Sequence, residues 1–591
     1  MSCDMRKWFI LIAVALSISV CAMGAERTVR LRIVETSDVH GCFFPYDFVE
    51  GKPLKGSLAR VSTYINRLRR EYGDHLLLLD NGDILQGQPT CYWSNYVEIG
   101  RENIAAQVVN YMGYDVAAIG NHDVETGHAV YDKWIGELRC PVVGANIIDT
   151  LTNEPYVRPY VTFERDGVKI AVIGLLTPTI ACWLNESLWS GLRFEEMTAS
   201  ARKWMQVVRE QEKPDLVVGL FHSGKEGGLT LPGGIEEDAT ARVAREVPGF
   251  DIIFYGHDHI VHNEWILTSH PSSLTPDSVL TLDPSSSALN VADAQIELTI
   301  DGQGKVIRKN ITGDIVSVRD EEVDRKMLSR FYAQMDSIKT FVGRRIGRFA
   351  EGATTRDSYF GSSAFTDFIH NVQLDISGAD ISFNAPLSFD SRIEPGDVTV
   401  ADMFKLYRFE NQYYVMNLTG SEIRRFLEES YARWVNTMTS ADDHLLLLSK
   451  KTYGDQQRMG FLNYTFNFDS AAGIDYEVDV TKPVGQKVRI LGMSDGTPFQ
   501  EDRIYKVVMN SYRGNGGGDL LTKGAGIEKD DIDDRIIYQS PLDLRHYIMK
   551  YIEEKGTVTP RPNNNWRFIP EEWVSPAAAR DRQLLFGPFL H

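Results

Sequence analysis

Five apolar segments of this chain each run straight into a short motif of Asp, His or Asn. Leu31-Arg32-Ile33-Val34 leads to Asp38-Val39-His40. His75 to Leu79 leads to Asn81-Gly82-Asp83, and Asp115 to Ile119 leads to Gly120-Asn121-His122-Asp123. Leu216 to Phe221 leads to His222-Ser223-Gly224, and Ile252 to Tyr255 leads to Gly256-His257-Asp258-His259. Amphipathic stretches separate these segments. Ser57 to Tyr72 places Leu58, Val61, Ile65 and Leu68 at three- and four-residue spacing, and Ala199 to Gln211 reads as another helix. Strand–helix alternation over 31–260 means a sheet covered on both faces, an α/β layered domain. Ligands in open α/β sheets bind beyond the carboxyl ends of the strands. Five strand ends would therefore bring His, Asp and Asn to one edge. One such motif alone is more often a cap or a turn; five in this order argue for a site.

The residue types point to divalent cations. Imidazole and carboxylate oxygen suit zinc, manganese or iron, and there is no CxxC pair to demand zinc. Asp83 is the natural bridge, since one carboxylate can serve two ions. Two ions about 3.5–4 Å apart can activate a water and stabilise both oxygens of an in-line displacement. Only Asp38 and Asp83 would carry charge among the ligands, so two divalent ions leave the site net positive and suited to a phosphate.

The rest of the chain sets the context. Arg6 and Lys7 followed by the apolar run Trp8 to Val20 read as an export signal, cleaved near Gly24–Ala25. A lipoprotein bearing lipid on Cys21 is the alternative, although Val20 is bulky for that processing. No later run of about 20 apolar residues is present. The expected location is the periplasm or cell surface. The formal charge is −19, and −20 once 1–24 is removed, which argues against a nucleic-acid polyanion as partner. Cys42, Cys91, Cys140 and Cys182 remain after the signal, and their pairing is open. Residues 277–319 alternate apolar and polar, as in Ala294 to Ile300 before the Asp301-Gly302-Gln303-Gly304 turn, and read as hairpins closing the first domain. The expected organisation is a signal over 1–24, a first domain over 25–319, a connecting helix over 320–345, a second α+β domain over 346–555, and a surface-wrapping tail over 556–591. The helix Glu422 to Trp434 and the turn Arg513-Gly514-Asn515-Gly516-Gly517-Gly518-Asp519 mark the second domain.

The five blocks resemble the calcineurin-like metallophosphoesterases, and within them the exported 5′-nucleotidase / 2′,3′-cyclic-nucleotide phosphodiesterase group. The resemblance extends over nearly the whole mature chain. It implies a four-layer α/β/β/α metallophosphoesterase domain followed by a smaller α+β nucleotidase C-terminal domain. It implies one metal on Asp38, His40, Asp83 and His259, and the other on Asp83, Asn121, His222 and His257. His122 matches the catalytic histidine. Glu125 stands where that family places the carboxylate that orients it, one methylene longer than the usual aspartate; Asp123 is the other possible partner. Asp80 to Pro89, Phe466-Asn467-Phe468-Asp469, Gly473 to Asp479 and Asn510 to Gly518 are most similar to the 2′,3′-cyclic-nucleotide 2′-phosphodiesterase/3′-nucleotidase branch. In that branch two aromatics sandwich the nucleobase, and Phe466 and Tyr512 match them. Asn384 is the other substrate-binding expectation. The 5′-nucleotidases carry a Gly-Gly-x-Arg segment; here the stretch reads Phe383-Asn384-Ala385-Pro386-Leu387, with Arg392 further on. The implied substrates are nucleotides, with 2′,3′-cyclic and 3′ forms favoured. A 5′-nucleotidase or nucleotide-sugar hydrolase is the alternative on the same scaffold, and a non-catalytic surface nucleotide-binding protein is the alternative of another class.

Overall fold

The computed structural model describes residues 26–231, 233–269, 277–453 and 456–587. The signal read over 1–24, Cys21 included, lies outside the described residues. The chain divides into two compact units. The first takes in the described residues through Asp47, Lys52–Ile180 and Ser187–Ala333; the second takes in Phe48–Gly51, Ala181–Glu186 and the chain from Gln334 on.

The first unit contains strands β1 (Arg27–Thr36), β2 (Leu76–Asp80), β3 (Val116–Ala118), β4 (Val142–Val143), β5 (Tyr160–Arg165), β6 (Val168–Leu176), β7 (Leu216–His222), β8 (Ile252–Tyr255), β9 (Val261–Leu267), β10 (Ser278–Pro284), β11 (Asn290–Ile300) and β12 (Val306–Ser317). They form two six-stranded sheets, ordered β12-β11-β1-β2-β3-β4 and β9-β10-β8-β7-β6-β5. Side chains alternate across a strand. Ile170, Val172, Val218, Leu220, Ile252 and Phe254 share a core with Ile33, Leu77 and Leu79 of the other sheet. The intervening Ala171, Ile173, Val217 and Ile253 pack with Met197, Ala201 and Val243 of two helices, Met197–Val207 and Thr240–Glu246. Both faces of β6 are therefore dry, which is why its sequence is almost wholly apolar. The helix Leu58–Tyr72 buries Leu58, Val61, Ile65 and Leu68, and lies beside the first sheet. The result is the expected α/β/β/α layering.

Three readings change in detail. One hairpin, β11–β12, does turn around Asp301, whose carboxylate accepts from the Gln303 and Lys305 amides. The other strand of this stretch, β10, pairs antiparallel with β9 and parallel with β8, so 277–319 is shared between the two sheets. The connecting segment is two helices, Arg325–Arg330 and Tyr332–Val342, broken at Phe331; Met327 and Phe331 are fully buried. None of Cys42, Cys91, Cys140 and Cys182 is joined in a disulfide, and burial pushes the Cys42 thiol up to about 12.

The second unit is built on β13 (Ile381–Asn384), β14 (Gln412–Thr419), β15 (Ser470–Ala472), β16 (Ile504–Asn510) and β17 (Ile536–Asp543), ordered β15-β13-β16-β14-β17. The helix Gly420–Trp434 starts at Thr419 because Thr419 and Glu422 each accept from the other's backbone amide. The described residues 556–587 do not wrap the surface as a tail. Thr557–Val558 pairs with Arg345–Phe349, Trp566–Ile569 pairs with Ile474–Asp479, and the helix Glu571–Phe586 follows. Trp566, Phe568, Ala577 and Leu585 sit in this unit's core. The Pro- and Asn-rich stretch 560–565 hid a strand only four residues long.

His370 lies inside this unit between the Ser382 and Ser470 hydroxyls, at 2.8 and 3.1 Å. Burial lowers its imidazole to about 3. The unfolded chain, with an ordinary histidine, takes up a proton below about 6.5 that the folded chain refuses, so stability is full above that pH and falls on acidification. The expected contribution at pH 5 is a loss of about 2 kcal/mol. His370→Gln should flatten the dependence of the thermal midpoint on pH between 7 and 5; an unchanged slope would rule out this group as its source.

Candidate metal centre

The first unit brings the five strand-end motifs together. Asp38 and His40 follow β1, Asp83 follows β2, Asn121 and His122 follow β3, His222 ends β7, and His257 and His259 follow β8. Five of these residues hold left-handed backbone: Asp38 at φ 51°, His40 at 47°, Asp83 at 53°, His257 at 83° and His259 at 60°. Such conformations cost on the order of 1–3 kcal/mol each and gather where surrounding structure enforces them for function. The enforcement is visible. The His40 amide donates to the Asp83 carbonyl at 2.9 Å, and the Asp38 amide to Gly82 at 3.1 Å. The Asp123 carboxylate accepts from the amides of Asp83, Gly120 and Leu85 at 2.8 Å and of Ile84 at 2.9 Å, tying two ligand loops into one block. Two motif glycines are steric requirements. A Cβ on Gly120 would lie 2.1 Å from Asp83 Oδ1, and one on Gly256 would lie 2.4 Å from Asp38 Oδ2.

Lone pairs converge on two points. His40 Nδ1 lies 3.2 Å from the Gln86 carbonyl, which makes it the donor nitrogen and turns the Nε2 lone pair inward. That Nε2 stands 3.1 Å from His259 Nε2, 4.0 Å from Asp38 Oδ1 and 3.9 Å from Asp83 Oδ2, and His259 Nε2 lies 3.1 Å from Asp38 Oδ1. At the second point His222 Nδ1 donates to the Asn81 carbonyl at 2.7 Å, so its Nε2 lone pair faces Asn121 Oδ1 at 3.1 Å and Asp83 Oδ2 at 3.3 Å. His257 Nδ1 is 2.8 Å from the same Asn121 Oδ1, while its Nε2 is 3.1 Å from Glu237 Oε1. Acceptors packed this closely repel one another unless a cation lies among them. Asp83 Oδ2 belongs to both sets, the geometry a bridging carboxylate needs.

The electrostatics agree. His222 is fully buried, which works against its charge, yet Asp83 and Asp38 raise it to about 10. The Asp83 carboxyl is held well below its usual range: burial opposes ionisation, and His222 and His122 outweigh it. Such a pocket favours positive charge. The donors, imidazole and carboxylate or amide oxygen, fit zinc, manganese or iron and do not choose among them.

His122 is at the rim of the same pocket. Its amide donates to Asp83 Oδ1 at 2.8 Å, and its Nδ1 lies 2.5 Å from Glu125 Oε2. Burial lowers its pKa, but Asp83 and Glu125 prevail and bring it to about 9. Between the two possible partners, Asp123 is taken by four backbone amides, whereas Glu125 reaches the ring. His128 and His262 stay outside: His128 bonds Asp132 and the Ser190 carbonyl, and His262 stacks on Tyr255.

The remaining expected residues are in the second unit. Asn384 ends β13, is 2% exposed, and neither atom of its side-chain amide has a partner. Arg392 is paired with Glu394. Phe466 and Tyr512 do not form a sandwich: their ring centroids are 6.0 Å apart at 90°. Tyr464, which sequence reasoning passed over, stacks on Phe466 at 5.2 Å and 8°. The buried Arg513 explains the arrangement. It donates to Asp469 at 2.7 Å, to the Phe466 carbonyl at 2.9 Å and to the Gly517 carbonyl, fixing both backbone segments. Its guanidinium also lies 5.4 Å from the Tyr512 ring centre. The two rings therefore meet edge to face rather than as the walls of a parallel slot. Glu237 was the other residue missed; its spacing carries no motif, and only the folded chain shows that it reaches His257.

Comparison with known proteins matches residues 31–261 to the calcineurin-like phosphoesterase family and residues 345–523 to the 5′-nucleotidase C-terminal domain. The chain is 27% identical over 605 residues to a trifunctional nucleotide phosphoesterase of Bacillus subtilis. That match takes in 93% of this chain and 39% of the relative, so the chain spans about two fifths of its length. It is 25% identical to a 2′,3′-cyclic-nucleotide 2′-phosphodiesterase/3′-nucleotidase of Haemophilus influenzae, over 96% of this chain and 92% of that protein. The solved 5′-nucleotidase precursor of Thermus thermophilus superposes with a TM-score of 0.61 at 20% identity, over 92% of this chain and 100% of that one. This last likeness is one of fold.

Proposed function

We infer that this chain, a calcineurin-like phosphoesterase joined to a 5′-nucleotidase C-terminal domain, is a hydrolase of nucleotides that acts at a two-cation centre and favours 2′,3′-cyclic and 3′-phosphates. The observation that carries the reading is Asp83 Oδ2 facing both lone-pair clusters, with His122 beside them. Asp38, His40, Asp83 and His259 would hold one ion, and Asp83, Asn121, His222 and His257 the other. When bound, the two ions supply Lewis-acid charge for the phosphate and a water that is nucleophilic at neutral pH.

The chain's own groups do the rest. His122 donates Nδ1–H to Glu125, which leaves Nε2 to meet a phosphate or leaving oxygen. Glu125 fixes the ring's orientation, as the carboxylate of a catalytic triad does. Tyr512 and Phe466 offer π-faces to a base, and stacking tolerates any base identity. Asn384, with its amide unpartnered, would take a polar group of the nucleoside. No arginine stands in register after Asn384, which disfavours a dedicated 5′-phosphate clamp. Residues 1–24 would direct export, with lipidation at Cys21 as the alternative anchor. No helix among the described residues is long and apolar enough to cross a membrane.

The test is hydrolysis of matched 2′,3′-cyclic, 3′- and 5′-nucleotides at equal concentration. The cyclic and 3′ substrates should be turned over faster. Tyr512→Ala should raise KM by the equivalent of about 1–3 kcal/mol, similarly for adenine and guanine. A preference for 5′-AMP over 3′-AMP would overturn the substrate assignment and leave the two-cation chemistry standing. Binding without turnover of any of them would favour the non-catalytic alternative.

A further inference from the structure

Between two of the proposed ligands, the chain folds out a two-stranded ribbon, Gly227–Leu231 paired with Ile235–Asp238. Its return strand carries three acids, Glu236, Glu237 and Asp238, which no motif accounts for. Glu237 is the one that reaches the metal centre, with Oε1 3.1 Å from His257 Nε2. Its placement is built rather than incidental. Oε2 accepts from the Leu229 amide at 2.6 Å, across the ribbon. The Glu237 carbonyl accepts from Ser223 Oγ at 2.9 Å and Thr177 Oγ1 at 3.0 Å. Gly228 makes room, since a Cβ there would lie 2.6 Å from Glu237 Oε2.

We propose that Glu237 is a positioning residue for His257: it accepts the Nε2 proton, fixes the ring tautomer, and so aims the Nδ1 lone pair at the second cation position. This rests on the two-cation reading given above. A neutral imidazole has one donor and one acceptor nitrogen, and which is which follows from the partner of the other. His257 is unlike the other ligands in facing the cluster with Nδ1, the nitrogen nearer the backbone. The wrong tautomer would place an N–H against Asn121 Oδ1 and remove the lone pair from the site. His222 and His40 have their proton fixed by the backbone carbonyls of Asn81 and Gln86. His257 has a carboxylate for this task, which also raises the basicity of the ring. Glu237, Asp238 and His257 could in geometry surround an ion of their own. Two facts oppose that use: Glu237 Oε2 and Asp238 Oδ1 are already engaged by the Leu229 and Gly224 amides.

The experiment is calorimetric titration of Mn²⁺ or Zn²⁺ into the chelated full-length protein. Wild type should bind two ions; failure to do so would sink the two-cation reading itself, separately from this proposal. Glu237→Ala should weaken one of the two sites by about 10–100-fold, the usual cost of losing a carboxylate that orients a ligand histidine. The other site should stay within a few-fold. Glu237→Gln keeps one acceptor oxygen for two donors and should fall between Ala and wild type. Glu236→Gln, next along the same strand, should leave both affinities unchanged. Two wild-type affinities in Glu237→Ala would overturn the proposal. So would an equal fall at both sites, which would mark a general disturbance, and so would a third ion in wild type lost in the variant.

Discussion

Replacing Asp83 by alanine is expected to remove both cations and to reduce hydrolysis to background. Asp83 Oδ2 faces both clusters, with His222 Nε2 at 3.3 Å and His40 Nε2 at 3.9 Å. Its other oxygen accepts the His122 amide, so His122 loses an anchor in the same step. The buried charge matters as much as the contacts. Without Asp83 only the Asp38 carboxylate remains in the ligand set to balance two divalent ions, and dry surroundings penalise the uncompensated charge. Metal analysis and turnover should fall together. A variant with two ions per chain and near-normal turnover would contradict the assignment of Asp83 as the bridge.

His122→Ala should separate chemistry from metal binding. The His122 backbone amide donates to Asp83, a bond alanine retains, while its ring is held by Glu125 at 2.5 Å and meets the His40 ring edge-on. The variant should therefore keep two ions and lose about 10²–10⁴-fold in rate, the usual worth of positioned acid or electrostatic help. Metal content that declines in parallel with rate would make His122 a ligand. Glu125→Gln should lose less, because it leaves the imidazole in place and removes only the charge behind it.

Much of the candidate site was legible because the proposed ligands lie at strand ends, where topology alone gathers them. Period-2 burial within β6, β7 and β8 fixes two opposed sheets, and the motifs after β1, β2, β3, β7 and β8 then meet at their common edge. The positive-φ backbone at five ligands is tolerated at Asp and His without a glycine, so the sequence shows no sign of it. Less was visible where function depends on long-range contacts. Whether Asp123 or Glu125 serves His122 turns on four amides that converge on Asp123 only after β2 and β3 pair. Phe466 and Tyr512, expected to sandwich a base, lie close together, but their perpendicular rings follow from Arg513, 47 residues beyond Phe466 and buried among carbonyls. The C-terminal segment was misjudged for a related reason. Trp566 and Phe568 are two apolar residues after a Pro- and Asn-rich stretch, too few to show a strand until Ile474–Asp479 lies alongside.

The most direct test is metal add-back followed by rate. The chelated protein should hydrolyse neither 2′,3′-cyclic AMP nor bis(p-nitrophenyl) phosphate. Activity should return as Mn²⁺ or Zn²⁺ is titrated in and reach its plateau at two ions per chain. Full turnover by the metal-free protein, or a plateau reached at one ion per chain, would contradict a two-cation phosphoesterase built around Asp83.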